Sequence, residues 1–275
     1  MINKIGIMQG RLVPREIKSR LQSFPFAMWK KEIELAKKNK INFIEWTIDY
    51  NNFLKNPIIS NPKIVKKILN KNKIKVNSIT CDFFMQKPFF KNENNKVIIF
   101  EYLKLLIYSC NFLNIKFLVL PLVDKSSIKN AKEEKILINE LKNFVKNNHL
   151  GKIKILFEID YNPLKIKKFM KNFDKTFGIN YDSGNSSALN YNITDELIYF
   201  DHVYNIHIKD RKFNGRSVKL GTGNLRLDNL ILNLKKRRYK GNLILQTYIP
   251  RKNKNVLKET LKNYEYLKKV ILKKI

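Results

Sequence analysis

Three side chains able to bind a metal or move a proton recur at matching places along the chain: Glu158 in "FEID" (157–160), Asp182 in "YDSGN" (181–185) and His207 in "HIKDR" (207–211). Two carboxylates and an imidazole, joined by an amide or a further carboxylate, suit a hard or borderline divalent ion such as Mn²⁺, Mg²⁺ or Co²⁺. A zinc site draws more heavily on His and Cys. Each residue alone has an ordinary structural explanation: a strand-end ion pair for Glu158, a turn for Asp182, a satisfied core imidazole for His207. Their recurrence on successive elements favours a shared site.

Short β-rich runs alternate with helical patterns along the whole sequence. Strands are predicted at 4–8, 42–46, 75–80, 116–122, 152–159, 176–181, 203–208 and 242–248, and helices near 26–39, 60–71, 95–113, 130–148, 163–172, 194–200, 226–238 and 254–274. In "EEKILINELKNFVKNN" (133–148), Ile136, Ile138, Leu141, Phe144 and Val145 fall largely on one stripe, with Lys and Asn opposite. Several strands are apolar on both faces, as parallel strands covered by helices are. A doubly wound open sheet is the alternative, but neither GxGxxG nor GxxxxGKS/T occurs. Eight β/α units in about 250 residues predict a (β/α)₈ TIM barrel, with residues 1–275 as a single domain.

In such a barrel the chemistry sits at the C-terminal ends of the strands. The predicted ends carry Gln9, Gly10 and Arg11; Glu45, then Asp49; Cys81 and Asp82; Asp124; Glu158 and Asp160; Asp182; His207, Lys209 and Asp210; and Gln246. The chain has only 23 Asp and Glu, so an acid at nearly every end marks a functional face. Gln9, Arg11, Glu45, Asp82, Lys209 and Arg211 are read as substrate contacts. Arg11 is a clamp for an anion or hydroxyl, the alternative being a turn in which it pairs with a nearby acid such as Glu45. Lys209, Arg211 and the "GTG" loop (221–223) are further anion candidates.

Lys and Arg number 55, giving a formal net charge of +32. The excess is spread evenly among abundant Asn and Ile, which reads as compositional bias rather than a polyanion footprint, although it would still attract anionic metabolites. Cys81 and Cys110 lie in apolar surroundings without CxxC spacing, predicting reduced, buried thiols. The start of the chain lacks a signal-peptide pattern, and the longest apolar run, "FLVLPLV" (117–123), is far short of a membrane span. A cytoplasmic protein is expected. The basic, amphipathic "NYEYLKKVILKKI" (263–275) is read as the closing helix of the barrel rather than a membrane anchor.

Together with "IGIMQGRLVP" (5–14), "SFPFAMW" (23–29), "FIEW" (43–46), "LPLVDKSSI" (120–128) and "LGTGN" (220–224), these motifs resemble the xylose isomerase-like TIM barrels. Within them, the chain resembles the sugar-phosphate isomerase/epimerase branch that opens with an "MQGRL" segment. The resemblance covers essentially the whole chain. It implies one divalent ion, Mn²⁺ first and Mg²⁺ or Co²⁺ next, held by Glu158, Asp182, His207 and a fourth residue that is Glu in the family and Gln246 here. Where some relatives place a His three residues after the Asp, this chain has Asn185. The implied partner is a small sugar or sugar phosphate, with no nucleic acid or membrane, and a homodimer is possible for barrels of this type.

Epimerases of this group resemble two-base enzymes, and a glutamine cannot take a proton near neutral pH. Aldose–ketose isomerisation with Glu158 as the base therefore ranks above two-base epimerisation, unless Asp82, Asp124 or Asp210 supplies the missing acid. Two rivals remain. An abasic-site endonuclease-like protein would need a histidine-rich trinuclear zinc site, and this chain has three His. A non-catalytic or metal-free sugar-binding barrel would take Gln246 as its mark.

Overall fold

Parallel pairing requires a crossover after every strand, and the amphipathic segments supply one each time. The computed structural model describes residues 5–16, 22–249 and 255–273. Its strands are β1 (Ile5–Met8), β2 (Ile44–Ile48), β3 (Ser78–Cys81), β4 (Phe117–Leu122), β5 (Lys154–Ile159), β6 (Phe177–Asp182), β7 (Val203–Ile208) and β8 (Asn242–Leu245). Each pairs in parallel with its sequence neighbours, and β8 pairs with β1, closing the barrel. The outer helices are α1 (Trp29–Lys38), α2 (Pro62–Asn72), α3 (Lys96–Leu113), α4 (Ala131–Asn147), α5 (Pro163–Met170), α6 (Ile193–Glu196), α7 (Leu227–Lys236) and α8 (Val256–Leu272).

The asparagine-rich composition has a structural use. The side chains of Asn61, Asn130 and Asn162 cap α2, α4 and α5, accepting from the backbone N–H of Ile64, Glu133 and Lys165. Pro62 and Pro163 stand at the first helical positions of α2 and α5, where their missing N–H costs nothing. Outward-facing strand residues meet the helices. Trp46 packs on Phe24 and Trp29 at ring-centroid distances of 5.2 and 5.7 Å, while its indole N–H donates to Asn56 at 3.0 Å. On α4, Leu137, Leu141 and Phe144 are buried, and Ile136, Ile138 and Val145 flank them.

Several element bounds move, and one shift matters. The second strand runs from Ile44 to Ile48 instead of 42–46, because Phe43 makes only an isolated bridge to Lys75. Glu45 therefore lies at the base of β2 and not at its end. The helix expected at 194–200 is the four-residue α6 continued as a 3₁₀ segment, Leu197–His202. Short helices at Asp82–Gln86 and Ser183–Ala188, and a ribbon pairing Asp210–Arg211 with Ser217–Val218, are inserted at the strand ends. The predicted element ends at Lys4, Lys254 and Lys274 lie outside the described residues. Cys81 and Cys110 are free and buried. No helix among the described residues is long and apolar enough to cross a membrane.

α6 is held to the barrel by a buried carboxyl. Glu196 accepts from Tyr181 Oη at 2.9 Å, Ser186 Oγ at 2.8 Å and Tyr199 Oη at 3.4 Å. Burial outweighs these bonds and pushes the Glu196 carboxyl up to about 7 from the ordinary 4.5. The folded state thus binds this proton more tightly than the unfolded state. The associated stability is fully present below pH 4.5 and is lost as pH rises through about 7, on the order of 3 kcal/mol in all. Urea titrations of Glu196→Gln should show this part of the pH dependence flattened; an unchanged slope would contradict the assignment.

Candidate metal centre

Glu158 stands near the end of β5, Asp182 ends β6, and His207 lies on β7 directly opposite Asp182 in the strand register. One donor atom from each falls within 4.8 Å of the others. His207 Nδ1 is 3.1 Å from Glu158 Oε2 and 3.9 Å from Asp182 Oδ2. All three side chains are buried. The structure thus brings together the three residues that the sequence singled out.

Beneath them the barrel interior is polar. Glu45, expected as a substrate contact at a strand end, is instead fully buried one layer down. Its carboxylate accepts from Ser78 Oγ and Thr80 Oγ1, from Asn205 Nδ2 at 2.8 Å, and pairs with His207 Nε2 at 2.6 Å. With every oxygen engaged below the centre, it cannot reach a sugar. Its place is that of the carboxylate that orients a ligating imidazole through the nitrogen remote from the metal. Asn180 completes the layer, donating to Glu158 Oε2 at 3.2 Å and accepting from Asn205 at 2.7 Å.

Charge is balanced closely here. Burial disfavours the imidazolium of His207, yet Glu45 and Glu158 outweigh it and push the ring up to about 10. Burial and the Asp182 charge raise Glu158, against His207 and Lys209. Burial would raise Asp182 too, but the Lys209 ammonium and His207 hold it below the usual carboxylate range. Metal ligation at Nδ1 therefore requires loss of a proton from His207.

Around the mouth, Arg11 does not pair with Glu45. Its Nε donates to Thr247 O at 3.0 Å and its Nη2 to Gln22 Oε1 at 3.3 Å, while Nη1 is buried without a partner among the described residues. Burial lowers this guanidinium to about 10, so it remains charged at neutral pH. Gly10, at φ +81°, turns the chain so that its N–H and that of Leu12 both donate to Glu32 of α1, at 2.9 and 3.0 Å. Gln9 is buried, its carbonyl accepting from Thr47 N at 3.2 Å. Asp82 accepts from Gln22 Nε2 at 2.9 Å, and burial together with Asp49 pushes its carboxyl well up. Arg211 donates to Gly215 O and to Asn185 Oδ1, and Asn185 in turn donates to Glu158 Oε1 at 3.3 Å. Lys209 Nζ lies 2.8 Å from Asp182 Oδ2.

The GTG loop is not an anion cradle. Asp210 already fills it, accepting from the N–H groups of Gly221 and Gly223 at 2.9 and 2.8 Å and of Leu225 at 3.0 Å. Gln22, which bridges Arg11, Asp82 and Gln246, was not anticipated: it lies far from any predicted strand end and carries no sequence signal.

The donor chemistry fits a divalent ion. Gln246 follows β8, its N–H bonded to Ile208 O at 2.9 Å beside the strand that carries His207. Its Nε2 donates to Gln22 at 2.9 Å, whereas its carbonyl oxygen is buried without a partner among the described residues. An amide oxygen is a donor type that hard divalent cations accept.

A closed parallel barrel with an acid-and-imidazole cluster at the ends of β5, β6 and β7 defines a TIM-barrel protein with a candidate metal centre. The sequence matches the family described as xylose isomerase-like TIM barrel over residues 33–270, and the chain belongs to that family. A search of curated proteins finds no match. Among solved structures, a xylose isomerase domain protein from Planctomyces limnophilus superposes with TM-score 0.76 at 14% identity, covering 98% of each chain. The zinc-bound IOLI protein gives 0.74 at 18%, also covering 98% of each. D-psicose 3-epimerase from Clostridium cellulolyticum H10, solved with D-tagatose, gives 0.70 at 12%, covering 98% of this chain and 99% of that one. At these identities the likeness is one of fold.

If Glu45 fixes the ligating face of His207, Glu45→Gln should weaken Mn²⁺ binding about 10- to 100-fold without unfolding the protein. Titration calorimetry beside circular dichroism measures both, and unchanged affinity would contradict the role.

Proposed function

We propose that the chain is a metal-dependent isomerase of a small sugar or sugar phosphate, acting through an enediolate with Glu158 as the base. The observation that carries this reading is the convergence of Glu158, Asp182 and His207 at the mouth of the barrel, above the buried Glu45. Membership in the family and the epimerase among its structural neighbours support the sugar chemistry. The zinc of the IOLI neighbour belongs to that protein; one His and no Cys in the donor set here favour Mn²⁺, with Mg²⁺ or Co²⁺ as alternatives.

When bound, a divalent ion at this site supplies electrostatic stabilisation of charge developing on adjacent sugar oxygens. Glu158 takes the proton from the hydroxyl-bearing carbon next to the carbonyl and returns it to the former carbonyl carbon, while the hydroxyl proton passes to the other oxygen. Its carboxyl is raised by burial, which suits reversible transfer, and Asn180 and Asn185 fix its two oxygens. Arg11 offers its open Nη1 to a hydroxyl or anionic group. Gln246 cannot carry a proton, so one-face transfer is favoured over two-base epimerisation. Of the acids able to replace it, Asp210 is consumed by its loop and Asp124 is exposed, leaving Asp82, whose carboxyl is held up by burial and Asp49.

A second reading, a metal-free sugar-binding barrel, is favoured by the Lys209 ammonium on Asp182 and by the Gln246–Gln22 bond. Incubation of the Mn²⁺-treated protein with ketoses and ketose phosphates in deuterated water separates the two. The isomerase reading predicts deuterium at the carbon next to the carbonyl, with the rate falling at least ~100-fold in Glu158→Gln. Sugar binding without exchange would favour the binder.

A further inference from the structure

Asp182 has one oxygen to give. Its Oδ1 is committed to the short helix Ser183–Ala188, accepting from Gly184 N at 2.7 Å and Asn185 N at 2.9 Å. Only Oδ2 faces the centre, and the Lys209 ammonium already sits on it at 2.8 Å.

That placement is built into the backbone. Ser183 Oγ accepts from Lys209 N at 2.9 Å and donates to Lys209 O at 2.8 Å, tying the residue after β7 to the residue after β6. The lysine stem then lies across Gly184, where a Cβ would come within 2.5 Å of Lys209 Cε and 2.8 Å of Cγ. Glycine is required for the arm to take this path. The arm ends on the oxygen that an ion ligated by Glu158 and His207 would share, with its side chain only 15% exposed.

We propose that Lys209 is a tethered counter-cation that competes with the divalent ion for Asp182 Oδ2 and thereby sets the metal affinity of the centre. The inference rests on the metal-dependent reading above. In the metal-free protein the ammonium is the nearest cation to Asp182, 2.8 Å from Oδ2 against 3.9 Å for His207 Nδ1, and offsets the cost of burying that charge. An ion held by Glu158, Asp182 and His207 would add a second cation beside the Lys209 ammonium in a poorly solvated site, where like charges repel. The lysine would thus lower the affinity of the centre for a divalent ion.

The test is Mn²⁺ affinity, read by electron paramagnetic resonance of the free ion and by calorimetry, in wild type, Lys209→Met, Lys209→Gln and Lys209→Arg. Lys209→Gln keeps a hydrogen-bond donor for Asp182 without the charge, which guards against misfolding of Lys209→Met. The two neutral variants should bind Mn²⁺ about 10- to 100-fold more tightly than wild type, while Lys209→Arg stays close to it. Wild-type binding with equal or weaker affinity in folded neutral variants would overturn the proposal and leave the metal centre standing. Absence of Mn²⁺ binding in every protein, neutral variants included, would overturn both.

Discussion

The hydrogen bond between Glu45 and His207, 2.6 Å long and fully buried, is the contact on which the rest of the site depends. A carboxylate in the middle of a barrel is tolerated only with its oxygens paired. Ser78, Thr80 and Asn205 supply that pairing from β3 and β7, and Asn180 extends it to Glu158. The polar layer displaces the branched apolar side chains that ordinarily fill a TIM barrel. It forms a rigid floor, and on it His207 presents Nδ1 upward toward Glu158 and Asp182.

Above the floor, residues of similar chemistry divide into those that hold loops and those that remain open. Asp210 organises the loop after the ribbon, Glu32 gathers the turn at Gly10, and Asp49 receives the N–H of Phe24 and the amide of Gln86. Their oxygens are spent on backbone and amide donors. Arg11 Nη1 and Gln246 Oε1 are among the buried atoms at the mouth that have no partner among the described residues. Gln22 links their side chains to Asp82, so a change at any one of the four should be felt by the others.

Much of this was legible in the sequence because the alternation of β-rich and amphipathic segments fixes where strand ends fall. That placed Glu158, Asp182 and His207 at successive ends. Glu45 was assigned to the wrong level because a two-residue shift in β2 moves a side chain from mouth to floor, and apolar runs such as "NFIEW" do not mark their own boundaries. Glu32 did leave a trace: it lies on the buried stripe of α1 with Trp29, Ile33 and Ala36, where an acid needs a partner. The glycines of the GTG loop suggested a ligand cradle, but the occupant is the chain's own Asp210. The bridge through Gln22 is purely tertiary and has no counterpart in local sequence.

Metal content is the most direct measurement of the central claim, that Glu158, Asp182 and His207 form one working centre. The purified chain, treated with Mn²⁺ in excess of its affinity and analysed by equilibrium dialysis beside Asp182→Ala, should bind about one ion per chain, with the site lost in the variant. Absence of a bound ion in the wild type, or undiminished binding in Asp182→Ala, would contradict the account.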